Sequence, residues 1–175
     1  TLELEKGISQ DTISLLIQIT TTTLTGGKMP KQRELDFTYL EMATSWSQLS
    51  KAKRKKVGCL VVKDGQIISD GYNGTPKGYD NECEFETRFG YETRPEVLHA
   101  ESNALMKLAK STNSSENCTI YLTLSPCFEC SKLLVQAGVK RVVYNEQYRD
   151  TSGLEFLKVN GIEVEQLKMY KINES

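Results

Sequence analysis

The chain of 175 residues carries 22 Lys and Arg against 23 Asp and Glu, a formal net charge of -1, with 38% hydrophobic and 26% charged residues. That length suits one folded domain able to bury a substantial core, and the near-neutral charge argues against a dedicated nucleic-acid binder, which carries a basic excess. No apolar run reaches the length of a membrane span, and the first residues lack the basic flank, apolar core and small-residue cleavage site of a secretory signal, so a cytoplasmic location without a membrane partner is expected.

In chain order, residues 1–34 read as an N-terminal extension of unknown role. Within it "DTISLLIQI" suits a short helix or strand, and the Thr-rich, then Gly-rich run that follows reads as a linker. Residues 35–175 are regular and read as the working domain. Leu35, Tyr39, Met42, Ala43 and Trp46 recur at helical spacing. "VGCLVVKDGQIISDG" is two β-rich runs around Asp64-Gly65, a strong hairpin signal. Residues 72–96 read as one long Gly-, Pro- and acid-rich loop, of a length that is usually functional or disordered. A helix is expected from about His99 to Lys110, then strand "CTIYLTL", a turn at Ser125-Pro126, helix "CFECSKLLVQAG", strand "VKRVVY", a helix near "TSGLEFLKVNG" and a last strand "IEVEQL". Gly138 and Gly161 fall where helices should end. The alternation after the first hairpin predicts an α/β sandwich with parallel strands in its second half.

Five cysteines, an odd number, do not suit a secreted disulfide scaffold. Cys127 and Cys130 form a C-x-x-C that follows a buried-looking strand and opens a helix, so both lie on one face of its first turn. Free N–H groups and the helix dipole there favour thiolate, and two thiolates fill two of the four tetrahedral positions zinc prefers. His99, the only histidine of the chain, also falls at a predicted helix start. If the two helices lie side by side on the sheet, it supplies a third ligand and leaves the fourth position open, as catalytic zinc requires. Glu101 then gains a role as well. Zinc acidifies water, and a carboxylate beside it can take the proton and pass it on.

Each feature alone has a plainer explanation. A C-x-x-C can be a redox pair, and a lone histidine is more often a satisfied surface or core residue. A redox pair leaves His99 and Glu101 unexplained. The combination H-A-E, then the 24 residues 102–125, then P-C-x-x-C, matches the H-x-E…P-C-x-x-C signature of zinc deaminases.

From about residue 35 to 168, the sequence resembles the deoxycytidylate (dCMP) deaminase family of the cytidine deaminase-like superfamily. "HAESNAL" resembles its H-A-E-x-N-A block, "LTLSPCFECSKLLVQAGVKRVVYNEQY" its strand–P-C-x-x-C–helix–strand–tyrosine block, and "SDGYNGTPKG" its G-Y-N-G-x-P-x-G loop, the element that points to dCMP. The resemblance implies a three-layer α/β/α sandwich around a mixed five-stranded sheet. It implies zinc-dependent hydrolysis of dCMP to dUMP and ammonia, which feeds thymidylate synthesis. His99, Cys127 and Cys130 would hold zinc and Glu101 would shuttle the proton. The Ala100 N–H would lie near the pyrimidine carbonyl, Asn73 would bind the deoxyribose and Tyr148 would contact substrate. Ser50 and Arg54, in the family's S-x-x-x-R-x-x-V-G pattern, would lie near the phosphate. A homo-oligomer, with a hexamer favoured, activated by dCTP and inhibited by dTTP with Mg²⁺ on the triphosphate, is implied as well.

Some relatives hold a second, structural zinc. Here Ala52 and Val97 occupy two of the positions concerned and no second histidine exists, so Cys59, Cys83 and Cys118 read as ordinary thiols. "KAKRKK" puts five cations in residues 51–56; a solvated helix end explains the lysines, while Arg54 offers a two-pronged fit to phosphate. Residues 80–101 hold seven acidic and two basic residues, a poor track for a polyanionic strand. In the loop containing Gly71, Tyr72 and Gly74, glycines suit close approach to phosphate and left-handed turns, so an effector bound nearby would be felt there. Two other functions remain: a nucleic-acid base deaminase of the tRNA adenosine type, which needs a basic surface, and a non-catalytic zinc-binding module, which closes the fourth zinc position with another Cys or His.

Overall fold

The computed structural model describes residues 31–169; residues 1–30 and 170–175, including the "DTISLLIQI" segment, lie outside the described residues. The elements in chain order are helix α1 (Lys31–Ser47), strands β1 (Gly58–Lys63), β2 (Gln66–Tyr72), β3 (Glu84–Thr87) and β4 (Gly90–Thr93), helix α2 (Ala100–Leu108), β5 (Thr119–Leu124), α3 (Phe128–Gln136), β6 (Arg141–Glu146), α4 (Ser152–Val159) and β7 (Glu163–Gln166).

Five strands form one mixed sheet in the order β2-β1-β5-β6-β7. β1 pairs antiparallel with β2 and β5, while β5–β6 and β6–β7 are parallel. The β1–β2 hairpin turns at Asp64 and Gly65, both left-handed (φ 50° and 75°), the backbone a two-residue turn needs between right-twisted strands. The expected parallel half is present, with α3 and α4 as its crossovers.

Side chains alternate across a strand, and that alternation sorts the core into two layers. Cys59, Val61, Ile120, Leu122, Val142 and Tyr144 pack on one face with Ala100, Ala104 and Leu105 of α2, Leu134 of α3 and Leu154 and Leu157 of α4. Leu60, Val62, Tyr121 and Val143 point to the other face and meet Leu40 and Ala43 of α1. The result is the three-layer α/β/α sandwich. Gly138 (φ 72°) and Gly161 (φ 77°) end α3 and α4. In each, the next two N–H groups fold back, Gly138 to Val135 and Val139 to Leu134, and Gly161 to Lys158 and Ile162 to Leu157; only left-handed backbone allows this closure.

Three expectations need correction. α1 begins at Lys31, before Leu35 and within the run read as a linker. Its buried face carries Asp36, Leu40, Ala43 and Ser47, while Leu35, Met42 and Trp46 are exposed, so the apolar spacing pointed in part to the wrong face. The reason is that Asp36 is buried for its charge. Its carboxylate accepts hydrogen bonds from both ends of the Arg141 guanidinium (2.9 Å each) and from the Tyr121 hydroxyl (2.6 Å). Thirdly, residues 72–96 are not one loop: β3 and β4 form a separate two-stranded sheet, Glu84 opposite Thr93 and Thr87 opposite Gly90.

Asp36 and Arg141 tie α1 to β6, and Arg141 also pairs with Glu163 and Glu165 of β7. Removing one member of a buried pair strands the other charge. Arg141→Leu is therefore expected to destabilise the fold by about 3–5 kcal/mol, read as a drop in the urea midpoint with an unchanged slope.

Candidate active site

The chain leaves β5 at Leu124, turns through Ser125 and Pro126, and enters α3 with Cys127 as the N-cap; α2 begins likewise with His99 as its N-cap. Both caps have extended backbone (ψ 159° and 169°), which projects their side chains ahead of the helix. The Nδ1 atom of His99 lies 3.5 Å from Cys127 Sγ and 3.4 Å from Cys130 Sγ, and the three donor atoms all fall within 4.8 Å of one another.

These separations fit a zinc ion. Zn–S near 2.3 Å and Zn–N near 2.0–2.1 Å at tetrahedral angles put sulfur and nitrogen about 3.6 Å apart. The protonation states fit as well. Cys127 is pulled down to about 4, first by its hydrogen bond with Cys130 and then by that with His99. The hydrogen bond with Cys127 in turn raises the His99 imidazole. Its own hydrogen bond with Cys127, together with burial, pushes the Cys130 thiol up. Metal binding would displace the protons these thiols retain.

Glu101, in the first turn of α2, is only 4% exposed. Burial pushes its carboxyl above the usual carboxylate range, with the charge of His99 pulling part of the way back. A carboxyl group of raised pKa is suited to accept a proton and to return it.

A cavity of about 270 Å³ opens over these groups, and its lining brings together His99, Ala100, Glu101, Cys127, Arg54, Asn73 and Tyr148. Ala100 is fully buried as the first residue of α2, where main-chain N–H groups lack intrahelical acceptors. The Asn73 side-chain amide accepts from Val57 N–H (2.9 Å) and donates to the Lys55 carbonyl (2.9 Å), so it also holds the strand of loop that carries Arg54. The main-chain N–H of Tyr148 donates to Ser125 Oγ (2.7 Å). Ser50 is not in the lining: fully buried, it donates to the Asn73 carbonyl (2.7 Å) from behind. A larger concavity of about 870 Å³ shares Arg54 and Lys55 and adds Lys53, Lys56 and Lys168, with Glu41 and Glu146.

Gly71, Tyr72 and Gly74 are not lining residues of the cavity beside His99 and Cys127. Neither Gly71 nor Gly74 takes left-handed backbone; in this segment Gly78 does (φ 100°). A Cβ on Gly71 would sit 2.1 Å from the Ala100 carbonyl oxygen, so this glycine serves the docking of α2. Gly74 forms a two-way bridge with Leu98 (3.1 and 2.9 Å), the residue before His99. The Tyr72 carbonyl accepts from the Asn103 amide (2.9 Å). Cavity residues unforeseen from the sequence include Glu84 and Thr93, which belong to the hairpin read as loop. The repeated Phe85-Glu86-Thr87 and Tyr91-Glu92-Thr93 around Gly90 was the available signal.

Residues 33–146 match the family model described as the cytidine and deoxycytidylate deaminase zinc-binding region. Deoxycytidylate deaminase of Enterobacteria phage T4 is 32% identical over 177 aligned residues, covering 78% of this chain and 92% of that protein. The human deoxycytidylate deaminase is 34% identical over 124 residues, covering 65% of this chain and 66% of that protein. The crystal structure of dCMP deaminase from cyanophage S-TIM5 in complex with dCMP and dUMP matches with a TM-score of 0.73 and 46% identity, over 80% of this chain and all (100%) of that one.

The thiols should differ sharply in reactivity, since only thiolate is nucleophilic. In metal-free protein at about pH 6, iodoacetamide is expected to modify Cys127 first. Cys118, pushed up to about 11 by burial, and Cys59, raised by the same cause, should stay unmodified in the folded chain. Added zinc should protect Cys127; peptide mass spectrometry reads each site.

Proposed function

The chain belongs to the deoxycytidylate deaminase family, and on that premise we propose that it hydrolyses dCMP to dUMP and ammonia, feeding thymidylate synthesis, with one zinc ion per chain. The observation that carries this reading is the meeting of His99, Cys127 and Cys130 within 4.8 Å, beside buried Glu101, in a cavity that also takes in Arg54, Asn73 and Tyr148.

His99, Cys127 and Cys130 hold the metal. When bound, zinc lowers the pKa of water and supplies a nucleophile at neutral pH. Glu101 would carry the two protons of the attacking water in turn on a carboxylate oxygen, one to ring N3 and one to the 4-amino group, so that the C4–N bond breaks, ammonia leaves and the water oxygen stays as the C4 carbonyl. Its raised pKa suits both halves of that exchange. The Ala100 N–H faces the pyrimidine carbonyl, Tyr148 flanks the substrate, Asn73 binds the deoxyribose, and Arg54 reads the 5′-phosphate with Ser50 holding the loop behind it. A phosphate-reading cation in the same cavity as the metal ligands favours a nucleotide over a free nucleoside.

Regulation follows from the same family membership. dCTP with Mg²⁺ would activate and dTTP inhibit a cytoplasmic homo-oligomer, with a hexamer favoured. A local link supports coupling: the Gly74–Leu98 bridge joins the Gly71–Gly74 segment to the residue next to His99. Among the described residues no helix is long and apolar enough to cross a membrane.

Ammonia release from dCMP, deoxycytidine, dCTP and a tRNA hairpin, measured side by side, tests the activity. dCMP should be preferred to deoxycytidine by about ten- to a hundredfold in kcat/KM, the worth of a charge-assisted contact. Glu101→Gln should lose about 10²–10⁴-fold while retaining one zinc per chain. Turnover of the tRNA hairpin with none of dCMP would overturn the reading.

For regulation, Mg²⁺-dCTP should lower the dCMP concentration for half-maximal rate and dTTP should raise it, with coupling of roughly 1–3 kcal/mol. Gly74→Val, at a position with room for a side chain, should weaken that coupling and leave zinc in place. Hyperbolic kinetics indifferent to both triphosphates would mean that this chain has the catalytic site without the switch.

A further inference from the structure

We propose that the β3–β4 hairpin is a clamp that positions Arg54, with Glu84 gripping the main chain and Thr93 the guanidinium, and that the clamp sets the preference for a phosphorylated nucleoside. The inference rests on Arg54 being the phosphate contact. Glu84 is only 7% exposed, on a hairpin whose other strand, β4, is exposed along its whole length. An exposed two-stranded sheet has no core to build, and a buried carboxylate is unfavourable unless its oxygens are hydrogen-bonded. Here they are. The Lys53 N–H donates to Oε1 and Oε2 (3.1 and 3.0 Å) and the Arg54 N–H to Oε1 (3.3 Å).

Directly across the hairpin from Glu84 stands Thr93. Its hydroxyl accepts from Arg54 Nη1 at 3.0 Å. One cross-strand pair therefore fixes both ends of the same residue. A guanidinium carries five N–H donors, so a single bond to Thr93 orients it and leaves donors for a ligand. Tyr91, on the same face of β4 as Thr93, adds a third contact: Lys53 Nζ lies 4.9 Å from its ring centroid. Glu84, Thr93 and Arg54 all line the catalytic cavity. Arg54 is otherwise an exposed residue of an irregular segment, where a long side chain retains most of its rotamer freedom. Holding it in advance removes that entropic cost from substrate binding. Glu84 and Thr93 are positioning residues in this account, acting through Arg54.

The test compares kcat/KM for dCMP and for deoxycytidine in the zinc-loaded full chain and in Glu84→Gln, Thr93→Val and Thr93→Ser. Glu84→Gln and Thr93→Val should lower the dCMP-to-deoxycytidine ratio by about ten- to a hundredfold, the scale of a misplaced binding group. The fall should appear mainly in KM, with zinc content and melting temperature held. Thr93→Ser keeps the hydroxyl and should restore the ratio. Should Glu84→Gln fail to fold, the two Thr93 variants decide. Parallel loss for both substrates, an unchanged ratio, or a Thr93→Ser as impaired as Thr93→Val would each overturn the clamp. A wild-type chain without preference for dCMP would instead sink the phosphate reading itself, before any variant is made.

Discussion

Everything in this site depends on two helix starts meeting at one point. His99 and Cys127 cap α2 and α3, helices separated by strand β5, and their donor atoms must agree to within a few tenths of an ångström. Backbone packing sets that agreement. A Cβ on Gly71 would stand 2.1 Å from the Ala100 carbonyl oxygen, and one on Gly153 would stand 2.5 Å from the Pro126 carbonyl oxygen and 2.9 Å from the Cys127 carbonyl carbon. Neither position tolerates a side chain without moving the main chain beside His99 or at Cys127. The first brings α2 down onto β2; the second brings α4 in behind the C-x-x-C turn. The meeting of His99, Cys127 and Cys130 is thus fixed by absent side chains as much as by those residues.

The convergence has an electrostatic consequence. Both helices aim their positive ends at the same small volume, which suits thiolate at Cys127 and an anionic group above it. Glu101 is the exception. Buried in the first turn of α2, it loses hydration and holds its proton more tightly than an exposed glutamate would. One environment stabilises negative charge on sulfur through hydrogen bonds and destabilises it on a carboxylate through burial, so the two groups take different roles within one small cavity.

Much of this was legible because it repeats at short range. The Asp64-Gly65 turn, the two glycine helix ends and the α-β alternation after His99 each have a local cause, and the residues of the His/Cys/Cys cluster lie in two short motifs. What escaped was set by partners far along the chain. Asp36 faces the core because Arg141 and Tyr121 meet it there, 105 and 85 residues away, and no periodicity in α1 carries that information. Leu35, Met42 and Trp46 keep helical spacing yet lie on the outer side. The β3–β4 hairpin hid for a related reason: its strands are mostly exposed, so they lack the apolar alternation by which a half-buried strand is recognised, and its buried residue is a glutamate.

The site divides into two halves with different mechanical character. The His99, Cys127 and Cys130 cluster and Glu101 ride on the first turns of core helices. The cavity residues Arg54, Asn73 and Tyr148 come from irregular segments between strands and helices. Each of those segments is fastened by polar bonds: Glu84 to residues 53 and 54, the Asn73 amide to residues 55 and 57, Ser125 to residue 148. Apolar packing is insensitive to small shifts in direction, whereas a hydrogen bond weakens steeply with angle. Polar fastenings therefore specify the orientation of a loop where core contacts would specify only its depth. A fold built this way can hold one hydrolytic centre constant while changes among a handful of loop hydrogen bonds alter which nucleotide reaches it.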